Sequence, residues 1–588
     1  MLLPELLNRA YGELSALLTG NINIRVDPPA AVDPVSPGTG EAVTAHKGTI
    51  VGPGYPRMVL FFSLCDGRSR ARVLHVAAPD FESAWQQGVT ACQEWTRHQA
   101  LSIKWLRIDW VTRIQPMTWG RLTRQFRNTK RNYFRYGIAL DVGFDIAFLE
   151  QELNANAMLY AGAEVAQASL NPKNVGVYAR KRYGAEVPLD MGDNTPVFVV
   201  STQGRFYADD PALTVLPGGR QQGIPLSGPG RNGGRRQIPS LHADDVFRLV
   251  TRSSEFLARQ VKASGEFVYG HFPCFGRNIA NYNALRHAST TYAMLEAWEL
   301  TGSKSLKAAI DRSLAYLTQA LIRPYVLGSG EAVAYLVDSG EEIKLGGNAV
   351  CLLALVKYTE LTRDYRHQGL MDALAVGIAR MQNPETGQFV HVLHAGDLSV
   401  KQEFRIIYYD GEAAFGLMRL YGLTQNPRWL ALVEKAFEYF LQAGHWQAHD
   451  HWLSYCVNEL TRYRPEEKYF RFGVQNIAGY LDFIQHRITT YPTLLELSMA
   501  FQKMLSRLKL MPEMSHVLDG FDEEAFYRAL HQRAHYLLNG FFWPEFAMYF
   551  ARPESVLGSF FIRHHSFRVR IDDIEHYLSG YVAYWELL

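Results

Sequence analysis

KLGGNAVCLLALVKYTELTR, Lys344 to Arg363, is apolar on almost every side and closes on a Leu-Thr pair. It has two counterparts: YNALRHASTTYAMLEAWELTG, Tyr282 to Gly302, and YYDGEAAFGLMRLYGLTQ, Tyr408 to Gln425. Each is followed by a more amphipathic segment: Lys304 to Leu321, Gly369 to Gln382 and Pro427 to Ala443. The pairs Leu300-Thr301, Leu361-Thr362 and Leu423-Thr424 recur about every sixty residues, and a shorter copy ends at Leu460-Thr461. A helix that is apolar all round must be buried on all sides, whereas an amphipathic partner can face water. Alternation of the two predicts a double ring of helices, the apolar set inside.

Between the repeats lie the excursions Arg323 to Ile343 and Asn383 to Ile407. Their alternating β-branched and polar residues around Gly predict hairpin-like loops, both entering the next inner helix at its start. Long loops collected on one face are where a site is expected.

With GEFVYGHF (Gly265 to Phe272) ahead of the first inner helix, and the YYDGEAAFGLMRLY segment, the region 241–540 resembles the six-hairpin (α/α)6-toroid superfamily. That superfamily holds glycoside hydrolases, polysaccharide lyases, N-acylglucosamine 2-epimerase-like enzymes and the lanthionine cyclases. The resemblance is architectural and singles out no one family. It implies acid–base chemistry on a carbohydrate, with His pairs moving the proton in the epimerases. Lanthionine cyclases fit poorly, because they bind zinc through Cys and His and no Cys-His dyad occurs here.

The rest of the chain is read from composition and pattern. At 588 residues it is too long for one core, so several domains are expected. The fold class is an α+β N-terminal domain, 1–210, followed by a mainly α, toroid-like domain, 241–588. Arg57–Leu64, Arg72–Ala77, a run within Leu101–Ile114 and Val197–Ser201 are predicted strands; Phe81–Gln99 and Phe144–Ala161 are predicted helices. Residues 211–240, rich in Gly, Pro and Arg, predict a solvated linker, or else an arm for an anionic partner.

Lys+Arg 60 against Asp+Glu 58 gives no global basic field, so nucleic acid is not an expected partner. The basic run Arg121 to Arg135 can be a phosphate-binding patch or simply a solvated helix face. Five scattered cysteines make neither a disulfide framework nor a metal cluster, pointing to a reducing compartment. Residues 2–18 read as an amphipathic helix and not a signal peptide, so a cytoplasmic protein with no membrane span is expected. P-loop, zincin and hydrolase-elbow motifs do not occur.

Counting thirteen residues back from each repeat Leu selects His287, Asn348 and Asp410, all near the start of an inner helix. Unpaired N–H groups and the helix dipole there favour anions and ligand oxygens, although Asn348 and Asp410 can equally be N-caps. Asp410 and Glu412 are a candidate acid–base pair, with Glu403 or Asp450 as a further carboxylate. His287 is a third catalytic candidate; Arg286 beside it can hold an anionic group. Possible second histidines are His391, His394, His449 and His451. HWQAHDHW, His445 to Trp452, predicts an aromatic and polar pocket wall; a metal reading is weaker, because His449 and His451 fall on different helix faces.

Tyr408, Tyr409 and Trp452 are expected to stack on a sugar. The C-terminal stretch Ser559–Tyr584 is expected to fold back on the ring, with Arg570, Asp572 or Asp573 completing the pocket unless they form structural ion pairs. The expected ligand is a carbohydrate or other polar small molecule, with neither metal nor cofactor. A non-catalytic binding or scaffold module in surface-polymer biosynthesis is the alternative.

Overall fold

The computed structural model describes residues 3–19, 24–28, 49–50, 54–97, 99, 102–184, 189–208, 222–328 and 330–588. The Leu-Thr repeat has a local cause. Thr301, Thr362 and Thr424 each donate their hydroxyl to the carbonyl four residues back, at 2.8, 2.7 and 2.9 Å. The following residue, Gly302, Arg363 or Gln425, is left-handed, with φ of 62°, 58° and 55°. The last carbonyls are thereby satisfied and each helix stops at the same register.

Twelve helices build the ring. The inner set is α7 (Ala284–Thr301), α9 (Leu345–Thr362), α11 (Tyr408–Thr424), α13 (His451–Leu460), α15 (Thr493–Leu508) and α17 (Ile571–Leu587). Each inner helix packs on the next, and α17 packs on both α15 and α7, so the ring is closed. Outside lie α6 (Ala243–Gln260), α8 (Lys304–Tyr316), α10 (Gln368–Arg380), α12 (Pro427–Gln442), α14 (Glu467–Ala478) and α16 (Glu523–Leu537). Five outer helices pack on the inner helix before them; α6 packs on α17 and completes the sixth hairpin. Burial follows the sequence pattern: α9 is buried at every position from Leu345 to Val356, while α12 buries one face only. The two long excursions form hairpins that merge into one five-stranded antiparallel sheet at the entrance to α9 and α11.

The sheet of the N-terminal part is centred on two long antiparallel strands, Trp105–Thr118 and Pro196–Ala208. Met58–Cys65 flanks them and pairs in turn with Arg72–Ala78. On Met58–Cys65, Met58, Leu60, Phe62 and Leu64 point to one face, against α1 (Leu3–Leu18) and α2 (Phe81–Arg97). Val59, Phe61 and Cys65 point to the other and join the ring's core. A strand buried on both faces reads as an unbroken apolar run, which is what RMVLFFSL is.

Two expectations need correction. Phe144–Ala161 is not one helix: α4 spans only Glu150–Ala155, and Phe144 and Ala157, at φ of 63° and 54°, turn the chain on either side. Residues 222–240 keep exposed positions but do not run free through solvent. Ile224–Pro225 pairs with Arg205–Phe206. Arg236 holds the fully buried Glu545 at 2.8 Å, and Arg235 is buried beside Asn539. Residues 211–221 of the expected linker lie outside the described set. Of the basic run, Arg131 and Arg135 turn inward: Arg131 donates to the His564 and Gly162 carbonyls, and Arg135 pairs with Glu150 at 3.3 Å. Among the described residues no helix is long and apolar enough to cross a membrane.

Candidate active site

A cavity of about 450 Å³ opens where the inner helices begin. Residues at the starts of α7, α11, α13, α15 and α17 line it, together with the Ile562–Arg570 segment ahead of α17. The sixth inner helix contributes by what it lacks. Gly346 on α9 lies so close to Glu412 and Tyr409 that a Cβ there would collide with both side chains. Gly346→Ala is therefore expected to push Glu412 out of place, lowering stability by about 1–3 kcal/mol and any activity more than tenfold. Thermal melts and turnover of the variant check this.

The repeat register finds the correct end of the ring but the wrong side of the helices. His287 is fully buried behind α7, its Nδ1 meeting the Tyr282 hydroxyl at 2.7 Å and its Nε2 the Ser313 carbonyl at 3.0 Å. Asn348 accepts from Leu336 N and donates to the Lys344 carbonyl, both at 2.8 Å. Asp410 meets His391 Nε2 at 3.1 Å. All three tie an inner helix to the layer outside it, and none lines the cavity. At 100° per residue, their neighbours Arg286 and Tyr409, one position to the side, face the cavity instead. Glu403 is exposed on its loop and outside the cavity.

Arg286, Tyr408, Tyr409, Glu412, Trp452, Arg570 and Asp572 are all brought together at the cavity. His449 and Asp450 line an adjoining chamber of about 250 Å³, which shares Tyr408, His451, Tyr491 and Thr493 with the first. There His449 stacks on Tyr480, the ring centroids 4.2 Å apart. Asp450 caps α13 by accepting from Leu453 N at 3.0 Å. The pattern search gave no weight to Glu496, hidden in the apolar run TLLELSMAF, nor to Glu575 and His576 individually. Glu575 and His576 line the cavity and Glu496 is hydrogen-bonded to His576; the cue for all three is position one turn into α15 and α17.

The electrostatics are uneven. Arg568 grips Asp573 through two bonds of 2.9 Å; Arg570 bridges Asp572 and Asp573 at 2.9 and 3.1 Å; Arg286 reaches Asp572 at 2.9 Å. Burial raises the Asp572 pKa, Asp573 adds to the rise, and Asp572 Oδ1 keeps no protein partner. Glu412 is buried with Oε2 unpartnered, and burial, reinforced by Asp450 and Glu575, holds its pKa well above the carboxylate range. Burial also pushes Glu575 up to about 7, while Ser289 donates to it at 2.7 Å. His576 is the opposite case. Burial opposes its charge, but Glu575 and Glu496 outweigh that and hold it protonated, 2.8 Å from Glu496. His451, buried 5.4 Å from His576 between ring centroids, keeps Nε2 free of any protein partner.

His451, Glu496 and His576 each place one potential metal-ligand atom within 4.8 Å of the others. The donor set fits a metal poorly, because His576 already spends a proton on Glu496 and is held as a cation. The Glu496–His576 hydrogen bond accounts for two of the three, and His451 stands beside them with Nε2 unpartnered.

Buried neutral imidazoles also set a pH response. Burial pulls His287 and His565 down to about 4, and His75 and His564 to about 3. Their folded pKa values lie below the unfolded value of about 6.5, so the stability they contribute is present above that pH. It is lost as pH falls toward 4. Glu575, raised to about 7, acts in the reverse sense: its contribution is full below about 4.5 and is lost as pH rises through 7. The urea midpoint is expected to fall steeply between pH 6 and 4, and His287→Gln should flatten part of that slope.

No family model and no curated protein matches this sequence. Among solved structures, the chain is similar to the cellobiose 2-epimerase of Bacillus thermoamylovorans, at 12% identity and a TM-score of 0.45, covering 59% of this chain and 99% of that one. It is similar to a D-mannose isomerase at 12% identity and a TM-score of 0.45, over 60% of this chain and 100% of that one. The α-1,6-mannanase of Salegentibacter sp. matches at 12% identity and a TM-score of 0.39, over 58% and 100%. The closed ring of α6 to α17 is, by its own helix packing, a toroid of six helical hairpins.

Proposed function

We propose that this protein is a carbohydrate-active enzyme that transfers protons to and from a sugar or short oligosaccharide in the toroid cavity, with epimerisation or isomerisation as its reaction. One observation carries the reading: a buried carboxyl whose Oε2 has no protein partner, Glu412, and an imidazole with an unpaired nitrogen, His451, line the same cavity, and burial favours the acid form of Glu412. An acid and a base facing one space are what proton exchange beside a carbonyl requires. In this scheme His451 Nε2 takes the proton from the carbon next to the sugar carbonyl while Glu412 protonates the carbonyl oxygen. When the His451 imidazolium passes its proton to the neighbouring carbon and the other enediol hydroxyl returns a proton to Glu412, the isomer results. When water protonates the first carbon from its other face, the first hydroxyl returns its proton to Glu412 and the imidazolium gives its proton to the hydroxide left behind, the epimer results. No oxidant enters.

Arg286 and Arg570, with Asp572 between them, hold hydroxyls or an anionic substituent, and Trp452, Tyr408 and Tyr409 supply the apolar wall. The volume suits a mono- or disaccharide. Hydrolysis by a carboxylate pair is less well served, since burial disfavours ionisation of both Glu412 and Glu575.

The test is incubation of aldoses, ketoses and disaccharides in deuterated water. Deuterium at the carbon beside the carbonyl, with a new isomer, is the expected result. New reducing ends or an unsaturated, ultraviolet-absorbing product would replace the reading by hydrolysis or elimination. Saturable sugar binding with none of these would make the ring a binding module.

A further inference from the structure

A second cleft, of about 380 Å³, lies in the N-terminal part, between the Arg72–Ala78 strand, α2, the end of α4 and α5 (Pro172–Tyr183). Its described lining carries four cations and no carboxylate. Arg182 is neutralised by Glu152, 2.7 Å away. The other three are not. Arg70 spends its bonds on the carbonyls of Ala155, Tyr549 and Cys274. Arg72 donates only to the Lys181 carbonyl at 3.1 Å, and its Nε is buried with no partner. Lys181 is exposed at the mouth and forms no ion pair with any described residue.

Arg70 and Arg72 are costly to hold in the empty protein, because burial strips both partly of water beside like charge. Burial first and the neighbouring Arg182 second act against the Arg72 charge, and together they outweigh the support from Tyr178, Glu152 and Tyr183.

The remaining wall says more about the occupant. Trp95 is half-buried in the lining and makes no ring–ring contact with a described residue. Asn156 and Asn174 spend their amide N–H groups on the carbonyls of Glu152 and Ala157, and their side-chain oxygens form no hydrogen bond with a described residue. An anion-binding end, a flat aromatic wall and two acceptors match a phosphate ester that carries a ring with N–H or O–H donors. We propose that this cleft is a binding site for a nucleotide, its phosphate held by Arg72 and Lys181 and its base stacked on Trp95. The site is separate from the toroid cavity and stands whether or not that cavity is catalytic.

The experiment is calorimetric titration of the full chain, at physiological salt, with AMP, ribose 5-phosphate, inorganic phosphate and adenosine. AMP is expected to bind most tightly and to raise the melting temperature. Arg72→Gln and Lys181→Gln should each weaken AMP by about tenfold. Lys181 is exposed, so its loss cannot act by unfolding. Trp95→Leu should weaken AMP by about tenfold but leave ribose 5-phosphate unchanged. The proposal is overturned if no phosphate ester binds at millimolar concentration, if adenosine binds as well as AMP, or if Lys181→Gln leaves AMP affinity untouched.

Discussion

Glu412→Gln is expected to lower turnover by about three orders of magnitude while changing KM little. The amide has the size and shape of the acid but cannot give up a proton at neutral pH. Glu412 Oε2 has no protein partner, so the substitution breaks no hydrogen bond there and the fold should persist. The wild-type rate should fall as pH rises through the Glu412 pKa, which burial, Asp450 and Glu575 hold well above the usual carboxylate value. Loss of the acidic form removes the proton donor, so the basic limb of the profile reports this group. The Gln variant should lose that limb. A variant with full turnover would remove Glu412 from the chemistry; one that loses binding and melting temperature together would make its role structural.

The second large effect concerns stability. Arg107 and Asp109 sit two residues apart on the Trp105–Thr118 strand, so they share a face, and each side chain is 1% exposed. Two bonds of 2.8 Å join them. The same guanidinium donates to the carbonyls of Gly234 and Glu545 at 3.0 and 2.8 Å, tying the sheet to the 222–240 segment and to the short helix Pro544–Ala547. Arg107→Met leaves Asp109 buried without its counter-charge and two carbonyls unpaired. The expected loss is about 3–5 kcal/mol, measured by urea denaturation. Adding Asp109→Asn should recover part of it, because the uncompensated charge is the larger share of the damage. A loss under about 1 kcal/mol would show that water reaches this seam.

The ring was legible because its signal is local: Leu-Thr at a helix end, left-handed residue next, repeated in sequence. The site was half legible. Arg286 and Glu412 stand beside the positions that the repeat register picks out, whereas Trp452 and Asp572 were read from dense aromatic and polar clusters. His287, Asn348 and Asp410 obey the same rule yet face outward, since a register fixes height along a helix and says nothing of its rotation about its own axis. Glu496 was hidden because a single acid inside TLLELSMAF leaves no trace in a hydrophobic pattern. The inward turn of Arg235 and Arg236 was equally invisible: their partners Asn539 and Glu545 lie about three hundred residues away in sequence.

The ring closes between its first and last inner helices, and the Ser289 hydroxyl meets Glu575 across 286 positions. Assembly must therefore wait. A partly synthesised chain has five inner helices at most, the first and last of them, α7 and α15, with an apolar flank still open, and it lacks the Glu575 and His576 that α17 brings. Such topology makes folding slow, because chain entropy is surrendered well before the final contacts return it. Until α17 is seated the chain is an open crescent, prone to capture its own copies or a chaperone, and the cavity comes into being in one late step.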